Sequence, residues 1–154
     1  HLGEIALECS RPGAAAVALW ATQRLLPLVR GGEFAKGLES GRAAALALHE
    51  RLRQDGRFVT AAAPELDILV WAPRAPSATE ASDLSKLLFA EAARRQLHLA
   101  LVSLPPHMIE IGPMRRDRET IICLRSVMMK PEHREWAPRI WRILDEATTA
   151  AGVR

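Results

Sequence analysis

The spacing of hydrophobic positions changes several times along this chain, and each change predicts an element. From Gly13 to about Leu28, apolar residues recur at Ala14, Val17, Ala18, Ala21 and Leu25, the spacing of a helix. The other sides are apolar as well, through Ala15, Ala16, Leu19, Trp20 and Leu26. A helix apolar on nearly every side is buried on nearly every side. Two coverings are open: a larger domain or second subunit, or a place as the central core helix of this domain. Pro27 weakens the last turn and Gly31-Gly32 end it. The next segment, Glu33 to Gln54, is an amphipathic surface helix. Phe34, Leu38, Gly41, Ala45, Leu48 and Leu52 form its stripe, with Arg42, Glu50, Arg51 and Arg53 on other faces. His49 is expected at the surface, and Asp55-Gly56 ends the helix.

The period then shortens. Arg57 to Ala62 reads as a strand, Pro64-Glu65 as a turn and Leu66 to Ala72 as a second strand, whose run Ile68-Leu69-Val70 suits a strand covered on both faces. Ser77-Ala78-Thr79-Glu80 has the pattern of a capping box. It predicts a helix to about Arg95 with Leu84, Leu87, Leu88 and Ala92 inward. Leu97 to Leu104 is a third strand, ended by Pro105-Pro106. Pro105 to Arg118 is an irregular connection with a short extended piece at Met108 to Ile111. Glu119 to Met128 is a fourth strand. Pro138 is expected to open a last helix with Trp136, Ile140, Ile143, Leu144 and Ala147 on its apolar stripe, and Ala150 to Arg154 to fray. Ahead of all this, Glu4 to Glu8 forms a short strand or arm, Ser10 a helix N-cap and Pro12 a first-turn proline. The predicted fold is a two-layer α/β domain: a mainly antiparallel sheet of three to four strands covered by helices, preceded by a long helix.

Composition narrows the function classes. The 154 residues suffice for one domain with a real core. A net charge of +3, with acids interspersed among the arginines, gives no nucleic-acid footprint. The cluster Arg115-Arg116-Asp117-Arg118-Glu119 is mixed in sign and reads as a solvated turn. No run reaches membrane-spanning length. Two cysteines, Cys9 and Cys123, in no metal-like spacing fit a reduced, cytoplasmic setting. Abundant Ala and Arg with few Lys suit a GC-rich bacterial source. The start His1-Leu2-Gly3, without Met, is expected of a fragment or processed piece.

Two side chains stand out as candidate chemistry. By strand alternation, Ile121, Cys123, Arg125 and Val127 share one face, which sets a guanidinium among apolar neighbours. A buried charge needs a partner. Either an internal carboxylate such as Asp67 or Glu65 supplies it, or a ligand carboxylate or phosphate does, gripped through two parallel bonds. Ser10 is either a plain cap or a phosphate contact at a helix start. Cys123, in an apolar strand, reads as core rather than nucleophile. His98, His107 and His133 are scattered, and His107 with Glu110 lies in a proline-rich loop, so no metal set is expected.

Taken in order, the stretch Leu7 to Trp20 (LECSRPGAAAVALW), the Gly31-Gly32 junction, Asp55-Gly56-Arg57-Phe58, the strand Leu66 to Trp71 and Leu124 to Pro131 (LRSVMMKP) resemble the pyridoxal-phosphate (PLP)-dependent group II decarboxylases. These include the glutamate, aromatic amino acid and diaminobutyrate decarboxylases, and the resemblance covers nearly the whole chain. It implies the C-terminal small domain of a fold-type-I PLP enzyme, with residues 1–31 joining a large domain and residues 32–154 forming the small one. It also implies a homodimer acting on a small amino acid. Arg125 matches the family's substrate-carboxylate arginine. Ser10 matches the serine near the cofactor phosphate of the neighbouring subunit. The family's Schiff-base lysine follows a histidine upstream of this region. Lys36, Lys86 and Lys130, the only lysines here, resemble nothing at that site. No catalytic residue is therefore expected in the chain, which alone should be inactive. Lys130 stands where relatives often have Asn. Two other functions remain open: a stand-alone α/β binding or dimerisation module, and a piece of another fold-type-I lyase or aminotransferase.

Overall fold

The computed structural model describes residues 13–154. The described chain falls into two compact units, one ending at Gly37 and one running Leu38–Arg154. Ser10 and the expected strand or arm at Glu4 to Glu8 lie outside the described residues.

In the first unit, helix α1 spans Gly13–Leu25. It stops before Pro27, whose ring disfavours helical geometry in the residue ahead of it, and Gly31 takes a left-handed φ of 73° in the turn that follows. No residue of α1 is buried. Val17, Leu19, Trp20 and Leu25 are all exposed, Leu25 at 80%. Within its own unit the helix buries none of its apolar girdle.

Helix α2 (Glu33–Gln54) carries the predicted stripe, but burial begins only at Gly41 and continues through Ala44, Ala45, Leu48, His49 and Leu52. His49 is a correction: it is buried, with Nε2 3.3 Å from the carbonyl oxygen of Ala61. A buried ring nitrogen needs a polar partner, and the Ala61 carbonyl supplies one.

Four strands follow: β1 (Phe58–Thr60), β2 (Ile68–Pro73), β3 (Ala100–Leu104) and β4 (Ile121–Val127). They form one antiparallel sheet in the order β1-β2-β4-β3, as the fold prediction has it. Helix α3 (Ala78–Arg94) starts at the predicted capping box, with Ser77 Oγ accepting from the Glu80 N–H and donating to the Glu80 carboxylate. Its inner face is Ala78, Ala81, Ser82, Ser85, Leu88 and Ala92, while Leu87 points outward at 54% exposure. Helix α4 (His133–Ala150) begins before Pro138, which lies inside it. Pro138 lacks the N–H that would reach Arg134, but both residues are exposed, so solvent can satisfy that carbonyl.

The sheet has two different faces. One carries Leu69, Trp71, Leu124 and Met128 into the main core with α2, Leu88 and Ala92 of α3, and Leu144 and Ala147 of α4. The other carries Val59, Ala72, Ile121 and Cys123 into a smaller core closed by Ile109, Ile111 and Met114. Those three come from the 105–118 connection, which contains a short 3-10 turn at Pro106–Met108. The Glu110 N–H donates to the Thr60 carbonyl and Ala61 bridges Ile109, so the connection lies along the free edge of β1.

Candidate functional site

The 105–118 connection covers only one end of the second sheet face. At the other end Arg125 projects from the middle of the sheet. Its register partners are Val70 on β2 and Ala100 on β3. Ile68 pairs with Val127 one step further along. Val70, Ala100 and Val127 are half-buried, and Ile68 is 47% exposed. Arg125 itself is exposed. The alternation expected of β4 holds, because Ile121 and Cys123 sit under the connection while Arg125 stands past its end. The premise of a buried charge does not hold.

The internal-carboxylate alternative fails too. Among the described residues Arg125 makes no ion pair. Neither the Asp67 nor the Glu65 carboxylate forms an ion pair with it. The result is an unpaired guanidinium on an apolar floor, open to solvent, with its planar fork of donors available to an oxyanion.

The strand beneath this site is anchored from the opposite face. Ser126 is 5% exposed, and its Oγ accepts a 3.1 Å hydrogen bond from Nε1 of the fully buried Trp71. This pair ties β4 to β2 beside Arg125. Sequence reading missed it, although a buried Trp nearly always finds a partner for its N–H. Further along β4, the Ile122 N–H donates to Ser82 Oγ of α3 at 3.0 Å, so the helix replaces β2 as neighbour there.

The remaining candidates separate cleanly. Cys123 is fully buried, and burial pushes its thiol up to about 12, which suits core and not nucleophile. His107 and Glu110 are both exposed on the connection. No group of three His, Cys, Asp or Glu among the described residues is placed to hold a metal ion. No described helix is long and apolar enough to cross a membrane. Lys36, Lys86 and Lys130 are exposed, and Lys86 pairs with Asp83 at 3.0 Å. All three lysines are thus solvent-facing, and Arg125 keeps a free fork of donors on the open end of the sheet.

No family model matches the chain, and no curated protein does. Solved structures do. Tryptophan decarboxylase of Catharanthus roseus, in complex with L-tryptophan, superimposes with a TM-score of 0.63 at 17% identity, over 88% of this chain and 26% of its own. The Oryza sativa TDC with PLP and tryptamine gives 0.61 at 17% identity, over 86% of this chain and 26% of its own. The 4-hydroxyphenylacetaldehyde synthase of Rhodiola rosea gives 0.55 at 16% identity, over 75% and 23%. The chain spans about a quarter of the length of these proteins and shares the fold of that portion.

Proposed function

We propose that this chain is the C-terminal part of a PLP-dependent amino acid decarboxylase, and that Arg125 binds the substrate carboxylate. The observation that carries the reading is the open end of the sheet: an exposed guanidinium, unpaired among the described residues, on a floor of Val70, Ala100 and Val127, in a fold shared with about a quarter of the length of a tryptophan decarboxylase chain. Two parallel N–H···O bonds from Arg125 fix the carboxylate plane and, through it, the orientation of the α-carbon substituents. The apolar floor excludes water once a large domain closes over it, which strengthens those bonds. PLP, when bound, supplies the electron sink for the pair left on the α-carbon as carbon dioxide departs.

Ser10 would lie near the cofactor phosphate across a homodimer interface, and residues 1–31 join the large domain while residues 32–154 form the small one. The apolar girdle of α1, with Val17, Leu19 and Trp20 exposed within its own unit, supports such covering. The enzyme is cytoplasmic. The isolated chain is inactive, because none of its three lysines resembles the Schiff-base site that the family carries upstream.

Two experiments test this. PLP and borohydride added to the 154-residue chain leave no stable adduct on any single lysine; one stoichiometric, site-specific adduct would sink the reading. In the longer polypeptide that carries this chain, Arg125→Met lowers kcat/KM for the amino acid by about a hundredfold or more, the loss of a bidentate charge-assisted pair, with cofactor absorbance unchanged. Unaltered kcat/KM removes Arg125 from the site.

A further inference from the structure

A second concavity lies on the helical side, between the turn after α3 and the start of α4. It holds about 400 Å³. Arg95, Lys130 and Arg139 supply three cations to its walls, His98 and His133 two imidazoles, and Trp136 a ring. No carboxylate lines it. A narrower cleft of about 130 Å³ shares His98 and His133 with it and runs inward to Leu48 and Met128. The concavity is therefore cationic at the mouth and apolar at the inner end.

Three details point to a ligand. Arg95 already pairs with Glu91 Oε2 at 2.6 Å, but Lys130 and Arg139 pair with no carboxylate among the described residues. The Lys130 backbone N–H donates to His133 Nδ1 at 3.4 Å, which leaves Nε2 as the ring nitrogen open to a ligand. Finally, the turn after α3 closes with the Leu97 N–H on the Ala92 carbonyl, and the left-handed position within it, φ 61°, is held by Gln96. Glycine is the residue that adopts this conformation without strain. Gln96 instead keeps a side chain, and that residue lines the groove. Backbone strain retained at the wall of a cavity is a mark of use.

We infer that this groove binds a small aryl oxyanion. Lys130, Arg139 and His133 Nε2 hold the oxyanion head, Gln96 supplies an amide contact, and the ring packs on Trp136 and the inner cleft. The site is separate from Arg125 and does not depend on the decarboxylase reading.

The test uses the whole 154-residue chain, observed by two-dimensional ¹H–¹⁵N NMR. Phenyl phosphate and phenylacetate are the probes; inorganic phosphate and benzyl alcohol are the controls. At least one aryl anion is expected to shift the Trp136 indole N–H saturably and to bind about tenfold tighter than either control. Lys130→Ala and Arg139→Ala, both at exposed positions, should each weaken it about tenfold, as the loss of one charge-assisted hydrogen bond predicts. Gln96→Gly should raise Tm while weakening binding by about threefold. The inference is overturned if neither aryl anion shifts Trp136 saturably, if inorganic phosphate binds equally well, or if both cation variants bind unchanged while their spectra show a native fold. A stabilised Gln96→Gly with unchanged affinity overturns the role given to Gln96.

Discussion

Replacing Gly41 by Ala sets helix propensity against packing. Alanine is better than glycine inside a helix by about 1 kcal/mol, so propensity alone has Gly41→Ala stabilise the protein. The structure reverses the sign. A Cβ at Gly41 would lie 2.7 Å from the Met128 carbonyl oxygen and 3.7 Å from Asp67 Cβ. An ordinary carbon–oxygen contact is about 3.3 Å, so something must yield by about 0.6 Å. The obstacle is backbone, not the tip of a flexible side chain. Met128 is held by its N–H on the Asp67 carbonyl at 2.7 Å, and its side chain is 3% exposed in the main core. Overpacking of this kind costs about 1–3 kcal/mol. Less the propensity gain, the net loss is about 1 kcal/mol and at most about 2. Gly56→Ala is the matched control: its Cβ meets nothing within 4 Å and its φ is not left-handed. It should gain about 0.4–1 kcal/mol through the unfolded chain. Urea titrations followed by far-ultraviolet circular dichroism measure both. If Gly41→Ala proves as stable as Gly56→Ala, the close approach of α2 to the end of β4 is wrong.

Three further outcomes follow from the same contacts. Ser126→Ala leaves the Trp71 N–H without its partner in a dry core and should cost about 1–3 kcal/mol; a loss below about 0.5 kcal/mol would mean water has replaced the hydroxyl. The Arg57 guanidinium, bonded to the Asp55 carboxylate, holds that carboxyl below its ordinary value. A depressed carboxylate stabilises the fold above its unfolded pKa of about 4 and loses that contribution as pH falls through the folded value. Asp55→Asn should thus be less stable by about 1 kcal/mol at pH 7, and the gap should close as the pH falls below about 4; a gap constant with pH counts against the pair. Cys123, its thiol raised by burial, should resist iodoacetamide at pH 8 in the native state and react on unfolding, as site-resolved mass spectrometry would show; rapid native labelling would place it outside the core.

Much of the fold was legible because its boundaries rest on local chemistry. The Ser77-Ala78-Thr79-Glu80 cap, the Asp55-Gly56 stop and the alternation of β4 act within a few residues, and each fell where expected. Features set by tertiary context were not. His49 and Leu87 exchange the expected inside and outside, because which arc of a helix is buried depends on what packs there. Pro138 did not begin α4, because a missing bond near an exposed helix start costs little. Leu97 to Leu99 stand ahead of β3, because the Leu97 N–H closes the turn after α3 on the Ala92 carbonyl. For the site, the sequence identified Arg125 and its face. It could not show that the 105–118 connection stops short of it, since the reach of an irregular loop has no period to read.

The position of Arg125 also bears on how the sheet finds its pairing. Side chains alternate across β4, so a slip of one residue would turn every one of them to the opposite face. The guanidinium would then point under the helices, into the space now held by Leu124 and Ser126. An unpaired charge there is far costlier than a misplaced leucine. During folding, each wrong odd-numbered registration of β4 is therefore penalised by the residue that the native registration presents to solvent, and the chain carries its own check on strand alignment.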